Sequence, residues 1–220
     1  MTSATEPSLA IATFTLGPAL TNAYLVGDSE SHTAVAIDPA WDGQVIAAEA
    51  SRRGWRITAI WLTHAHFDHF GGAGAISDSG DTPIPVALHA EDQLLWRALG
   101  GAGWFGMSDF DPGPEPTISL THGMRLHAFG REVEVRHTPG HSPGHVVFVF
   151  PQDGTVFCGD LIFEAGVGRA DLPGGDWDTL LRSIRDHILT LPDETVLLPG
   201  HGRPTTVGRE RATNPFLQDQ

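Results

Sequence analysis

The sequence predicts an α/β fold in which two β-sheets pack together with helices on the outside. Short strand-like apolar runs fall into two sets, one early and one late in the chain. Each set is accompanied by segments of helical composition. No fixed short repeat and no low-complexity linker separates the two.

Residues 9–16, 22–27 and 33–37 read as three strands rich in Ala, Val, Ile and Leu. The third ends at Asp38-Pro39, where proline blocks continuation and leaves Asp38 at a strand tip. Residues 42–53 turn helical, and Gly54 can stop that helix. The bounded apolar run 57–62 reads as a buried strand. A small-residue helix around 72–77, a strand at 85–89 and a helix over 91–99 follow. Glu91-Asp92 is read as an acidic first turn, favourable to the helix dipole, rather than a catalytic pair. Residues 100–117, rich in Gly and Pro with Trp104, Phe105, Met107 and Phe110, have two readings: a surface loop with aromatic anchors, or a wall or lid of a substrate pocket.

The second set of strands covers 125–128, 132–137, 145–150 and 155–158. Asp176 then caps a helix whose Trp177, Leu180, Leu181, Ile184 and Ile188 fall on one face. A last strand, 195–198, ends in Pro199-Gly200-His201-Gly202.

Composition narrows the function classes. A chain of 220 residues can bury about 70% of its unfolded surface, so its core needs no disulfide. The single cysteine, Cys158, fits a reducing compartment. A formal charge of −14 argues against nucleic acid as a partner. All 13 basic residues are arginine, and none precedes Arg52. The first 27 residues hold neither an early basic region nor a continuous apolar core, so no secretory signal is expected. No run reaches the roughly 18 apolar residues of a membrane span. A soluble, cytoplasmic protein is expected.

The chemistry concentrates in Thr63-His64-Ala65-His66-Phe67-Asp68-His69, directly after the run 57–62. Side chains two apart on an extended segment point the same way, so His64 and His66 can grip one ion. Asp68 and His69 come a turn later, and Gly71-Gly72 lets the backbone fold back. The spacing gives two metal half-sites. Three further candidates, His141, Asp160 and His201, each follow an apolar run and a glycine. Strand-end loops are where sites are usually assembled. Imidazole and carboxylate suit Zn²⁺, Fe²⁺ or Mn²⁺. Cys158 shares a strand face with Asp160 but reads as a small buried hydrophobe.

With these residues in place, the sequence resembles the metallo-β-lactamase superfamily and, within it, the glyoxalase II-like (hydroxyacylglutathione hydrolase-like) branch. The matching motifs are the 63–69 stretch, Thr138-Pro139-Gly140-His141-Ser142-Pro143-Gly144-His145, Gly159-Asp160-Leu161-Ile162-Phe163, Gly168-Arg169-Ala170-Asp171 and Pro199-Gly200-His201-Gly202. Asp38 matches the family's early aspartate. The resemblance implies a four-layer αβ/βα sandwich with two divalent ions, most simply zinc with iron or manganese as options, at one edge. His64, His66 and His141 would bind one ion, Asp68, His69 and His201 the other. Asp160 would bridge them, making Asp68 and Asp160 the catalytic carboxylates. Asp38 would orient a ligand histidine or a nearby loop. Such a centre polarises a carbonyl and readies hydroxide near neutral pH. A thioester suits it, since a thiol of pKa about 8.5 leaves without a general acid.

Arg169 and His145 are candidate substrate contacts, although Arg169 can also pair with Asp171 to pin its loop. His32, His89, His122, His127, His137 and His187 read as surface or packing residues. Full-length glyoxalase II enzymes carry a C-terminal helical domain that helps hold glutathione. Only 18 residues follow Gly202, so one domain without that addition is expected. The tail 208–217 resembles short members of the branch, and Arg209 and Arg211 read as exposed helix-end charges. The leading expectation is a dinuclear metal thioesterase of the hydroxyacylglutathione hydrolase type, acting on S-lactoylglutathione or a related small-molecule acyl thioester. The alternative is a mononuclear-iron persulfide dioxygenase using His64, His141 and Asp160. A purely structural metal is disfavoured because structural sites close with four ligands. A lactamase is disfavoured because His69 and Asp160 stand where that branch typically has Arg and Cys.

Overall fold

The computed structural model describes residues 9–78, 83–107 and 110–218. Residues 1–8 of the segment weighed as a leader, and 108–109 of the aromatic loop, lie outside these. The first sheet has the spatial order β1 (Ala10–Leu16), β2 (Thr21–Asp28), β3 (Thr33–Ile37), β4 (Arg56–Trp61), β5 (Val86–His89), β6 (Ile118–Leu120). Its first three strands are antiparallel and the rest join in parallel. The second sheet has the order β7 (Arg125–Ala128), β8 (Arg131–His137), β9 (Val146–Phe150), β10 (Thr155–Gly159), then β13 (Val196–Pro199) and β14 (Thr205–Thr206). Between β10 and β13 the chain makes a small hairpin of β11 (Ile162–Phe163) and β12 (Gly166–Val167).

Strand alternation sorts the core into layers. In β2, Ala23 and Leu25 join Ile46 and Ala50 of α1 (Gly43–Arg53). Tyr24 and Val26 point the other way and meet Phe148, Phe150 and Phe157 of the facing sheet. The two-residue period repeats in β9. Phe148 and Phe150 face inward, while Val147 and Val149 pack with Leu180, Leu181 and Ile184. Three apolar clusters thus fill the three gaps of a helix–sheet–sheet–helix stack. The α/β, four-layer αβ/βα expectation is met.

The short helices sit where the chain turns between layers. α2 (Phe67–Phe70) and α3 (Ala73–Ser77) follow β4, and α4 (Gln93–Arg97) follows β5. The expected 91–99 helix is shorter, because Leu99, Gly100 and Gly101 all take positive φ and stop it. α5 (Trp177–His187) is capped as expected, Asp176 accepting the Thr179 N–H at 2.8 Å. Its first apolar position differs, since Trp177 stays half exposed against the Phe216 ring. Sequence periodicity missed β6, β11, β12 and β14, which are two or three residues long and too short to show one. It also gave no bounds for α6 (Val207–Thr213), where Thr206 accepts from Arg209 N at 3.3 Å. Among the described residues no helix is long and apolar enough to cross a membrane.

Candidate metal centre

Four strand ends meet at one edge of the sandwich. His64 and His66 leave β4 on extended backbone, and α2 then swings Asp68 and His69 in beside them. His141 follows β8, Asp160 follows β10 and His201 follows β13. Nε2 of His141 lies 3.2 Å from Nε2 of His64 and 2.8 Å from Nδ1 of His66. In the second group, Oδ2 of Asp68 lies 3.5 Å from Nε2 of His69 and 3.3 Å from Nε2 of His201. Asp160 stands between the two, its Oδ2 3.6 Å from His141 and 3.5 Å from His201, its Oδ1 3.3 Å from His69. The seven residues that the sequence singled out all converge here. The His64, His141 and Asp160 face of the iron alternative lies within the same arrangement.

This donor set fits divalent cations. Buried polar atoms normally find partners, yet Nε2 of His66, Nε2 of His69 and Oδ1 of Asp160 are buried without a hydrogen bond. The donor atoms of His64, His66 and His141 lie within 4.8 Å of one another, as do those of Asp68, His69 and His201. Gly200 keeps the space open, for a Cβ there would collide with Oδ1 of Asp160 and the His69 ring.

Neighbours fix which ring nitrogen faces the centre. Asp38 is buried at the tip of β3, and its Oδ2 lies 3.0 Å from Nδ1 of His69. A carboxylate only accepts, so Nδ1 donates and Nε2 presents its lone pair. The same oxygen accepts the Thr63 hydroxyl at 2.6 Å, and Thr63 Oγ1 in turn lies 3.0 Å from Nδ1 of His64. Asp38 Oδ1 accepts the Thr63 N–H at 2.8 Å. For His141, Nδ1 donates to the Arg169 carbonyl at 2.7 Å. Second-neighbour bonds of this kind set ligand orientation and basicity.

Electrostatics divides the two groups. Burial, followed by neighbouring imidazoles, holds His64 well below its ordinary pKa. Burial and His141 bring His66 down to about 3. Burial also lowers His141. On the other side burial opposes charge, but Asp160 and Asp68 outweigh it and raise His69 well above its usual range. His201 rises to about 10 for the same reason, Asp160 contributing ahead of Asp68. The facing imidazoles bring Asp68 down to about 2 despite its burial, and hold Asp160 well below the ordinary carboxylate range.

Sequence reading missed Asp92. The acidic-first-turn reading of Glu91-Asp92 fails at Asp92, which is fully buried. Its Oδ2 accepts Ala65 N–H at 3.0 Å and the Ser142 hydroxyl at 2.7 Å, and its Oδ1 accepts Gly144 N–H at 2.6 Å. One carboxylate thereby ties the His64–His66 segment to the loop of His141. Burial raises its pKa against these three bonds.

A cavity of about 370 Å³ opens over the centre, with His66, Asp68, His141, Asp160 and His201 in its lining. Phe105 and Met107 of the aromatic loop also line it, which selects the wall over the plain surface-loop reading. Arg169 lines it too and bonds Asp171 through two nitrogens, at 2.7 and 2.8 Å. His145 does not. It is wholly buried behind His64 and His141, its Nδ1 2.9 Å from Thr138 Oγ1, because β9 begins at the next residue and turns it inward. The expected substrate contact from His145 is therefore replaced by a packing position. Cys158 is buried as expected, and burial pushes its thiol up. Arg209 pairs with Glu164, and Arg211 with Asp193.

Comparison with known proteins agrees with this geometry. The family model of the metallo-beta-lactamase superfamily matches residues 16–201. The hydroxyacylglutathione hydrolase GloC of Haemophilus influenzae is 33% identical over 200 residues, covering 90% of this chain and 93% of its own length. The crystal structure of TTHA1623 in a di-iron-bound form has a TM-score of 0.84 and 44% identity, covering 94% of this chain and all (100%) of that one. The crystal structure of BLEG-1 B3 metallo-beta-lactamase has a TM-score of 0.88 and 37% identity, covering 94% and 99%.

Proposed function

The chain belongs to the metallo-β-lactamase superfamily, and within its metallo-hydrolases we propose that it is a dinuclear thioesterase related to the hydroxyacylglutathione hydrolases, whatever its acyl and thiol groups. His64, His66 and His141 would hold one divalent ion and Asp68, His69 and His201 the other, with Asp160 shared between them. Two such ions supply Lewis acidity and draw the pKa of water down toward neutrality. The donor chemistry suits zinc, iron or manganese, and one structural relative is named in a di-iron form.

The chain's own residues organise that chemistry. Asp38, through Thr63 and His69, keeps the lone pairs of His64 and His69 turned inward. Asp92 holds the two histidine loops at one spacing. Phe67, Phe105, Met107 and Leu172 line the cavity and offer apolar surface beside the donor set.

The observation that carries the thioester reading is what that lining lacks. Among the described residues, its titratable members are metal donors, apart from Arg169, whose guanidinium is tied to Asp171. A departing amine would need a proton from a spare acid, whereas a thiolate leaves unassisted. One relative is named a B3 metallo-beta-lactamase, so membership of the superfamily does not by itself exclude β-lactams. The lining argues against them on separate ground. The mononuclear-iron reading uses His64, His141 and Asp160 and leaves Asp68, His69 and His201, equally assembled, without a role.

Metal analysis of the purified protein, beside assays with thioesters, a β-lactam and sulfide-dependent oxygen uptake, tests this directly. About two ions per chain with thioester turnover supports it. One iron with oxygen uptake, or turnover of the β-lactam alone, overturns it.

A further inference from the structure

We infer that this centre takes an uncharged acyl thioester with an apolar acyl chain and does not read the carboxylates of a glutathione leaving group. The inference rests on the thioesterase reading above and adds the substrate class to it. The cavity has a polar floor and apolar sides. Around His66, His141 and Asp160 stand Pro18, Phe67, Phe105, Met107 and Leu172. The Phe67 and Phe105 rings lie 5.4 Å apart, making one aromatic flank, and Phe105 is half exposed at its outer edge. A carbonyl delivered to the floor places whatever it carries against these side chains.

The sides offer an anion little. A glutathione thioester brings two carboxylates, and buried carboxylates need paired donors. Arg169 is the one arginine in the lining, and Asp171 already occupies it in a two-point bond. Arg203 and Arg209, on the segment after His201, both bond Glu164, at 3.0 and 2.8 Å. The formal charge of −14 repels anions at longer range. An acyl chain has no such needs. Each methylene against an apolar wall is worth up to about fourfold in binding.

The reaction balances with water alone. Water oxygen adds to the carbonyl carbon, the C–S bond breaks, and its electron pair leaves on sulfur as thiolate. One proton of that water ends on the departing sulfur, giving the thiol, and the other leaves the new carboxylic acid for solvent, giving the carboxylate.

The test uses metal-loaded protein and two thioester series. One carries acetyl, butyryl, hexanoyl and lactoyl on N-acetylcysteamine, a neutral thiol; the other carries the same acyl groups on glutathione. The expected result is a rise in kcat/KM of roughly two- to fourfold per methylene, with glutathione no better than N-acetylcysteamine. Phe105→Ala, at a half-exposed position, should flatten that dependence. Calorimetry on the same protein should show hexanoate, which differs from acetate only in chain length, binding at least tenfold more tightly than acetate. Turnover that ignores chain length, or a tenfold preference for lactoylglutathione, overturns the substrate class and leaves the thioesterase standing. No turnover of any thioester defeats the thioesterase reading, and this inference with it.

Discussion

Oδ2 of Asp38 lies 3.0 Å from Nδ1 of His69. That oxygen also takes the Thr63 hydroxyl, so one carboxylate governs the tautomers of two ring systems, His69 directly and His64 through Thr63. Asp38→Asn places an N–H donor at this junction and frees the rings to turn. Metal affinity should fall by about 10- to 100-fold, as measured by competition with a chromophoric chelator. Unchanged affinity would show that packing alone orients the rings.

The stability of the metal-free protein should depend on pH in a defined direction. His201 holds its proton to about 10, against an ordinary value of 6.5. Between those values the folded chain binds more protons than the unfolded one, so folding is favoured below pH 6.5 and loses that support as pH rises toward 10. With chelator present, the unfolding temperature should therefore drop across this window. With metal bound the drop should shrink, because the cation takes the proton's place. Scanning calorimetry between pH 6.5 and 9, with and without chelator, checks both halves.

Asp92→Ala leaves the Ala65 and Gly144 N–H groups and the Ser142 hydroxyl buried without acceptors. At roughly 1 kcal/mol or more for each, the loss is about 3 kcal/mol, or roughly 6–12 °C in unfolding temperature for a chain of this size. Metal occupancy should decline along with it. A loss under 1 °C would mean that the two loops hold their spacing without this carboxylate.

Asp160→Ala removes the side chain that lies within 3.3–3.6 Å of His69, His141 and His201. The purified variant should retain at most one ion per chain by plasma mass spectrometry and show no hydrolysis. Two retained ions with measurable turnover would contradict the shared role.

Much of the centre was legible because the backbone there is simple. His64 and His66 are two apart at a strand end, and Asp68 and His69 follow within one helical turn. His141, Asp160 and His201 each come just after an apolar run and a glycine, a pattern visible without coordinates. Asp92 was illegible for the opposite reason. Its partners are 27, 50 and 52 residues away, and the neighbouring Glu91 is exposed as a helix-start acid would be. His145 stands at the start of β9, as its place in the 145–150 run suggests, and closeness to His141 in sequence says nothing about which way that strand turns it. The layers themselves were readable from β2 and β9, whose alternate residues serve different clusters.

Neither sheet owns a finished half-site. His64 and His66 come from the first sheet but need His141 from the second, and Asp68 and His69 likewise need His201. The first trio closes only when residues 64 and 141, 77 positions apart, come together, and the second only when 69 and 201, 132 apart, do. Docking of the two sheets on each other is therefore also the step that assembles both donor sets.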